Sequence, residues 1–231
     1  MLDEAIKKIE VWGDSLLKGI VYDPQRKKYT RLEESNAVFS LEEMGLTIKN
    51  NAHFGMTAPK ARKLMEKALE KGVDCQYAVI VFGGNYCDFN WREVAANPGG
   101  EHFPNTTLEE FKNCITDMVN LTRKKGITPV LVNLPPIDPR RYFTWISRGL
   151  NARNIITWLG DVQHIYRFHE GYSLAIMTLA NKLGCELIDV RQPFLAQKQY
   201  CRFLCEDGIH PNQEGHLLMK KAFNAFAMEK L

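Results

Sequence analysis

The 231-residue chain has no long hydrophobic run. Its most strongly apolar stretch, residues 78–82, is far too short to cross a bilayer, so no membrane span is expected. Blocks of one charge are also missing. Thirty Lys and Arg stand against 27 Asp and Glu, scattered along the chain, and a net charge of +3 gives no footprint for nucleic acid. The six cysteines form no C-x-x-C pair. Cys201 and Cys205 are four apart, as in half of a zinc site, but no second half follows, so no metal is expected. Reduced thiols in a cytoplasmic protein are the simpler expectation. The opening M-L-D-E-A-I-K-K lacks the apolar stretch of a secretory signal. No repeat, low-complexity tract or linker interrupts the sequence, and with 45% hydrophobic residues a single domain with a sizeable core is expected.

Strand-like runs alternate with amphipathic helical runs, the pattern of a parallel sheet covered on both faces. Strands are expected at residues 8–12, 45–49, 77–82, 127–133 and 186–190. The run Y-A-V-I-V-F at 77–82 has the continuous apolar character of a central strand. One helix is expected from Thr57 to a stop at Gly72, with Leu64, Met65, Ala68 and Leu69 inward. A second opens on the capping box Thr107-x-x-Glu110 and ends at Gly126. A third spans about 161–183 with a break at Gly171, and a last follows Pro211 with Leu217, Leu218, Phe223 and Phe226 inward. Residues 18–43 read as a polar surface excursion, and 137–160 as an aromatic-rich loop insertion.

Right-handed crossovers would gather every strand's carboxyl end at one rim. The polar loops there are Gly13-Asp14-Ser15, Asn50 to Gly55, and Gly83-Gly84-Asn85. A serine just past a strand, near unpaired backbone N–H groups, suits a nucleophile whose intermediate is an oxyanion. Near the other end stands Asp207-Gly208-Ile209-His210-Pro211. An Asp three residues before a His lets the carboxylate hold Nδ1–H, leaving Nε2 to take a proton from Ser15. The Ser15 and Gly55 backbone N–H groups and the Asn85 amide are candidate oxyanion donors. Asp14 fits a cap on the first helical turn better than a phospho-acceptor, since the second Asp that haloacid-dehalogenase chemistry wants is replaced by Leu16.

These four blocks together resemble the SGNH, or GDSL-type, esterases and lipases. Gly13-Asp14-Ser15-Leu16 is similar to the block that carries the nucleophile, and Asn50 to Gly55 to the block with the oxyanion glycine. Gly83-Gly84-Asn85 is similar to the block with the oxyanion asparagine, and Asp207 to Pro211 to the block with the base and its partner. The family often has Asp directly after that asparagine; here Tyr86 follows, with Asp88 two residues on. The resemblance implies a flavodoxin-like three-layer α/β/α fold, ester hydrolysis through an acyl-serine, and no metal or organic cofactor.

Phe89, Trp91, Tyr142 and Trp145, with Asp14, are the candidate substrate-pocket residues; Phe143 and Trp158 belong to the same aromatic set. Aromatic loops suit sugar faces, so a small acyl group such as acetyl, on a small molecule or a carbohydrate, is the expected substrate. Lipase or thioesterase action on longer chains, and a non-catalytic carbohydrate- or acyl-binding protein, are the alternatives. The remaining histidines, His53, His102, His164, His169 and His216, read as surface or packed residues. His164 and His169 are five apart, poor spacing for a metal pair on one helix face.

Overall fold

The computed structural model describes residues 7–33, 36–83 and 88–231. Asn85, with Gly84, Tyr86 and Cys87, lies outside the described residues. In chain order the elements are β1 (Lys8–Gly13), α1 (Ser15–Lys18), β2 (Ile20–Asp23), β3 (Lys28–Arg31), α2 (Phe39–Glu43), β4 (Thr47–Asn50), α3 (Ala58–Lys71), β5 (Tyr77–Val81) and α4 (Trp91–Ala96). They continue with α5 (Leu108–Lys124), β6 (Thr128–Val132), α6 (Pro139–Ile146), α7 (Ala152–Leu159), α8 (Gln163–Leu183), β7 (Glu186–Ile188), α9 (Gln192–Leu195), a single 3-10 turn at Tyr200–Phe203, and α10 (Gln213–Lys230).

Five strands form one sheet in the order β4-β1-β5-β6-β7, with every pairing parallel. This is a three-layer α/β/α fold. In one layer α3 packs on α5 and α5 on α8; in the other α10 packs on α2 and α9. The middle strand is β5, and Ala78 to Val81 are almost fully buried because both faces of a parallel sheet are covered. The chain goes from β1 outward to β4, then returns to the other side of β1 for β5. The sheet's topological switch point therefore lies between β1 and β5, where ligands of open α/β sheets bind beyond the strands' carboxyl ends.

Helix ends follow from their capping residues. Thr107 Oγ1 accepts from Glu110 N–H at 3.2 Å, and α5 carries Glu109 and Glu110 in its first turn and Arg123 and Lys124 in its last, matched to the helix dipole. Asn212 Oδ1 caps α10 through Gly215 N–H at 3.0 Å. Three helical details differ from the sequence reading. Gly171 does not break α8, which runs unbroken over 21 residues and packs on α5, α6 and the edge of the sheet. Leu64 and Leu217 face outward, since Ala61, Met65 and Leu69 form the inner stripe of α3 and Leu218, Met219 and Phe223 that of α10.

Two larger segments also differ. Residues 18–43 contain an antiparallel hairpin, β2–β3, in which Tyr22 pairs with Tyr29; Asp23 Oδ1 accepts from Gln25 and Arg26 N–H and shapes its turn. Residues 137–160 are not a loop but two helices, α6 and α7. Asp138 Oδ1 caps α6 through Arg140 and Arg141 N–H, and Asn151 Oδ1 caps α7 through Asn154 N–H. Together with α4 and the start of α8 they bury a second hydrophobic cluster, centred on Phe89, Trp91, Tyr142, Ile155 and Ile165.

Candidate active site

The first turn after β1 places a serine at the switch point. Gly13 lets the chain pass closely here: a Cβ would meet the Val81 carbonyl oxygen at 3.2 Å and the Leu17 side chain at 3.3 Å. Asp14 then caps α1, its Oδ1 accepting from Leu16 N–H at 3.0 Å. Ser15 follows as the first residue of that helix. The loop after β4 is tied alongside: Asn51 N–H donates to the Val11 carbonyl at 2.8 Å and His53 N–H to the Gly13 carbonyl at 3.1 Å. That ladder carries Gly55, exposed and at φ +70°, to the same rim.

The loop before α10 carries Asp207 and His210. Asp207 Oδ1 accepts from the backbone N–H of Ile209 at 3.0 Å and of His210 at 3.1 Å, so the carboxylate folds back under its own loop. Its Oδ2 accepts from His210 Nδ1 at 2.6 Å. His210 Nε2 lies 2.9 Å from Ser15 Oγ. With Nδ1–H committed to Asp207, the tautomer that satisfies this network leaves a lone pair on Nε2. Ser15, Asp207 and His210, 195 positions apart at their extremes, thus form one continuous hydrogen-bonded chain, and all three are buried. Such a chain can move a proton from a serine hydroxyl onto an imidazole and hold the resulting cation beside a carboxylate.

Gly208 locks this loop to the helical cluster. At φ +76°, a Cβ would meet the Asp138 carbonyl oxygen at 2.6 Å and the Tyr142 nitrogen at 2.8 Å, while the Gly208 carbonyl accepts from Asp138 N–H at 2.8 Å. Arg141 braces the same loop from below, donating to the Cys201 and Leu204 carbonyls at 2.8 and 3.2 Å.

One member of the network has no signal in the sequence. Tyr29, on the β2–β3 hairpin, donates its hydroxyl to Asp207 Oδ2 at 2.9 Å, and its ring lies 5.1 Å from the His210 ring. Burial, the Asp207 charge and this hydrogen bond push the Tyr29 hydroxyl pKa well up, so it stays a donor. Burial pushes Asp207 upward, but the hydrogen bonds from His210 and the neighbouring backbone outweigh it and hold the carboxyl below its ordinary range.

Beside Ser15 and His210 opens a small pocket with a cavity volume of about 40 Å³. Phe89, Trp91 and Tyr142 line it. Asp14 and Trp145 do not. Asp14 is buried under the first turn as its cap. Trp145 packs its ring 4.7 Å from Tyr22, with the Arg148 guanidinium 3.9 Å over its face, and so pins the hairpin to α6. Asp88, Ile137, Leu159, Ile165, Phe168 and His169 complete the wall and were not singled out as pocket residues from sequence. Ile165, Phe168 and His169 share one face of α8 at i, i+3, i+4 spacing, the signal that could have found them. Burial holds the Asp88 carboxyl above its ordinary value against hydrogen bonds from Tyr142, Trp91 and Phe89. Burial, helped by the charge of Arg191, pushes His169 down to about 3, so its ring is neutral.

Among the described residues no group of three His, Cys, Asp or Glu side chains is placed to hold a metal, and no helix is long and apolar enough to cross a membrane. No protein-family model matches the chain, and no curated protein does. Solved structures do. A lipase/acylhydrolase from Enterococcus faecalis is 17% identical over 97% of each chain, with a TM-score of 0.67. An alpha/beta hydrolase enzyme from the metagenome of Lake Arreo is 21% identical, covering 95% of this chain and 94% of its own, with a TM-score of 0.66. A carbohydrate acetylesterase from Sinorhizobium meliloti is 16% identical over 96% of this chain and 99% of its own, with a TM-score of 0.65. At these identities the likeness is one of fold.

Proposed function

We propose that this chain is a serine esterase of the SGNH, GDSL-like kind. The observation that carries the reading is the unbroken Asp207–His210–Ser15 chain opening onto a pocket at the sheet's switch point. Ser15 Oγ attacks the ester carbonyl carbon as its proton passes to His210 Nε2, and Asp207 balances the imidazolium charge. Ser15 N–H, Gly55 N–H and the Asn85 amide are the proposed donors to the oxyanion. The carbon–oxygen bond of the ester then breaks, and the leaving alcohol takes the proton from Nε2. Water attacks the acyl-serine by the same route and releases the acid, with no cofactor required.

The substrate is a small-molecule or carbohydrate ester with a short acyl group. A cavity of about 40 Å³ has room for a few waters, not for a long chain. That fits an acetyl-sized group, and one structure of the same fold is a carbohydrate acetylesterase. The test is hydrolysis of a p-nitrophenyl ester series from acetyl upward. Turnover is expected to fall with chain length, and Ser15→Ala to lower kcat by about 10⁴-fold or more. Ester turnover unchanged in Ser15→Ala, with no labelling of Ser15 by a fluorophosphonate, overturns the reading.

A further inference from the structure

Asp88 and His169 are polar groups set into the otherwise largely apolar pocket wall, and the proposed catalytic chain uses neither. Asp88 receives three hydrogen bonds, from Phe89 N–H, the Trp91 indole and the Tyr142 hydroxyl. A carboxylate has about four lone-pair sites, so among the described residues one acceptor position is left over. His169 is 4% exposed, and among the described residues its Nδ1 has no hydrogen-bond partner. A buried polar atom left without a partner is costly, and a bound water or ligand group is one way to satisfy it.

The group that suits both is a hydroxyl. It donates to a carboxylate and donates to or accepts from a neutral imidazole, whichever tautomer His169 adopts. A carboxylate ligand would be repelled by Asp88, and a purely alkyl group would strip water from both side chains and replace it with nothing. Resting on the esterase reading, we infer that Asp88 and His169 are specificity-determining residues that select an ester whose pocket-facing part carries a hydroxyl group.

Two isosteric pairs test this from either side of the ester: the p-nitrophenyl esters of 3-hydroxybutyrate and 3-methylbutyrate, and 2-hydroxyethyl acetate against propyl acetate. The hydroxylated member of at least one pair is expected to have a kcat/KM about tenfold or more higher, since a site built around a hydrogen bond rejects the analogue that lacks it. His169→Phe, and separately Asp88→Asn, should pull that ratio toward one. The ratio is the readout, so a general loss of rate in either variant does not affect it. Binding of methyl 3-hydroxybutyrate and methyl 3-methylbutyrate to Ser15→Ala protein by calorimetry asks the same question without turnover, so it stands even where hydrolysis fails. Preference for the hydroxylated ligand there supports the inference. Equal or better use of the alkyl member in both pairs or, where neither pair is hydrolysed, equal binding of the two methyl esters, overturns it while leaving the serine chemistry intact.

Discussion

On one side of Ser15, Asp207 is held by four donors: the His210 ring, the Tyr29 hydroxyl and two backbone N–H groups. On the other side, Phe89 and Phe168 are held by ring packing, with Phe89 4.9 Å from Trp158 and 5.0 Å from Phe168, while Trp91 and Tyr142 each add one hydrogen bond, to Asp88. The Asp207 side is the more directional of the two. Hydrogen bonds fix a proton path to within tenths of an ångström, which packing cannot do. Packing fixes a shape while tolerating volume-conserving apolar swaps along it. Substitutions on the two sides should therefore separate into losses of kcat and losses of stability or selectivity.

The sharpest test of that separation is Asp207→Asn, which keeps the shape but cannot hold the imidazole in the same tautomer and charge state. Its kcat should fall by about 10⁴-fold, with a smaller change in KM. Parallel collapse of kcat and thermal stability would mean that the base side is structural as well. Phe89→Ala should do the opposite. Emptying a buried aromatic site of the second cluster costs about 3–5 kcal/mol of stability, read by denaturant unfolding, and should also loosen selectivity for short acyl groups. Tyr29→Phe removes one hydrogen bond to a charged group and leaves the ring. A loss of about tenfold in kcat at unchanged KM is expected. A change in KM alone would place Tyr29 in substrate contact rather than in positioning.

A buried neutral histidine stands near each side, and their effect should be the smallest. Burial lowers His169 to about 3, with Arg191 adding to it, and lowers His216 to about 4. Both start from 6.5 when unfolded, so the unfolded chain binds more protons between these values. Their contribution to stability is complete above pH 6.5 and is lost as the pH falls toward 4 and then 3. The melting temperature should decline over that window, and His216→Asn should flatten the decline; an unchanged slope would remove His216 from the account.

The parts of the molecule that could be read from sequence are those whose signal is local. The sheet strands carry continuous apolar runs, as in residues 77–82, and the carboxylate–imidazole pair sits within four consecutive residues. The β2–β3 hairpin has no such signal. Its strands are mostly half-exposed, with no clean alternation, and the role of Tyr29 exists only once the hairpin folds over the distant Asp207 loop. Helices α6 and α7 are eight residues each, too short for a period to stand out among arginines and aromatics that face in several directions. Trp145 and Tyr142 are three residues apart on α6, yet the first packs on the hairpin and the second on the pocket. Composition alone cannot tell these two faces apart.

Gly208 ties the order in which this molecule comes apart to its chemistry. Because α6 packs against Gly208 and bonds its carbonyl, undocking of α6 is expected to loosen the loop that positions the His210 imidazole. Gentle denaturation that frees the small helices before it melts the parallel sheet would abolish the proposed ester hydrolysis first. Turnover would then record the undocking of a peripheral helix, while the circular dichroism of the sheet still read as native.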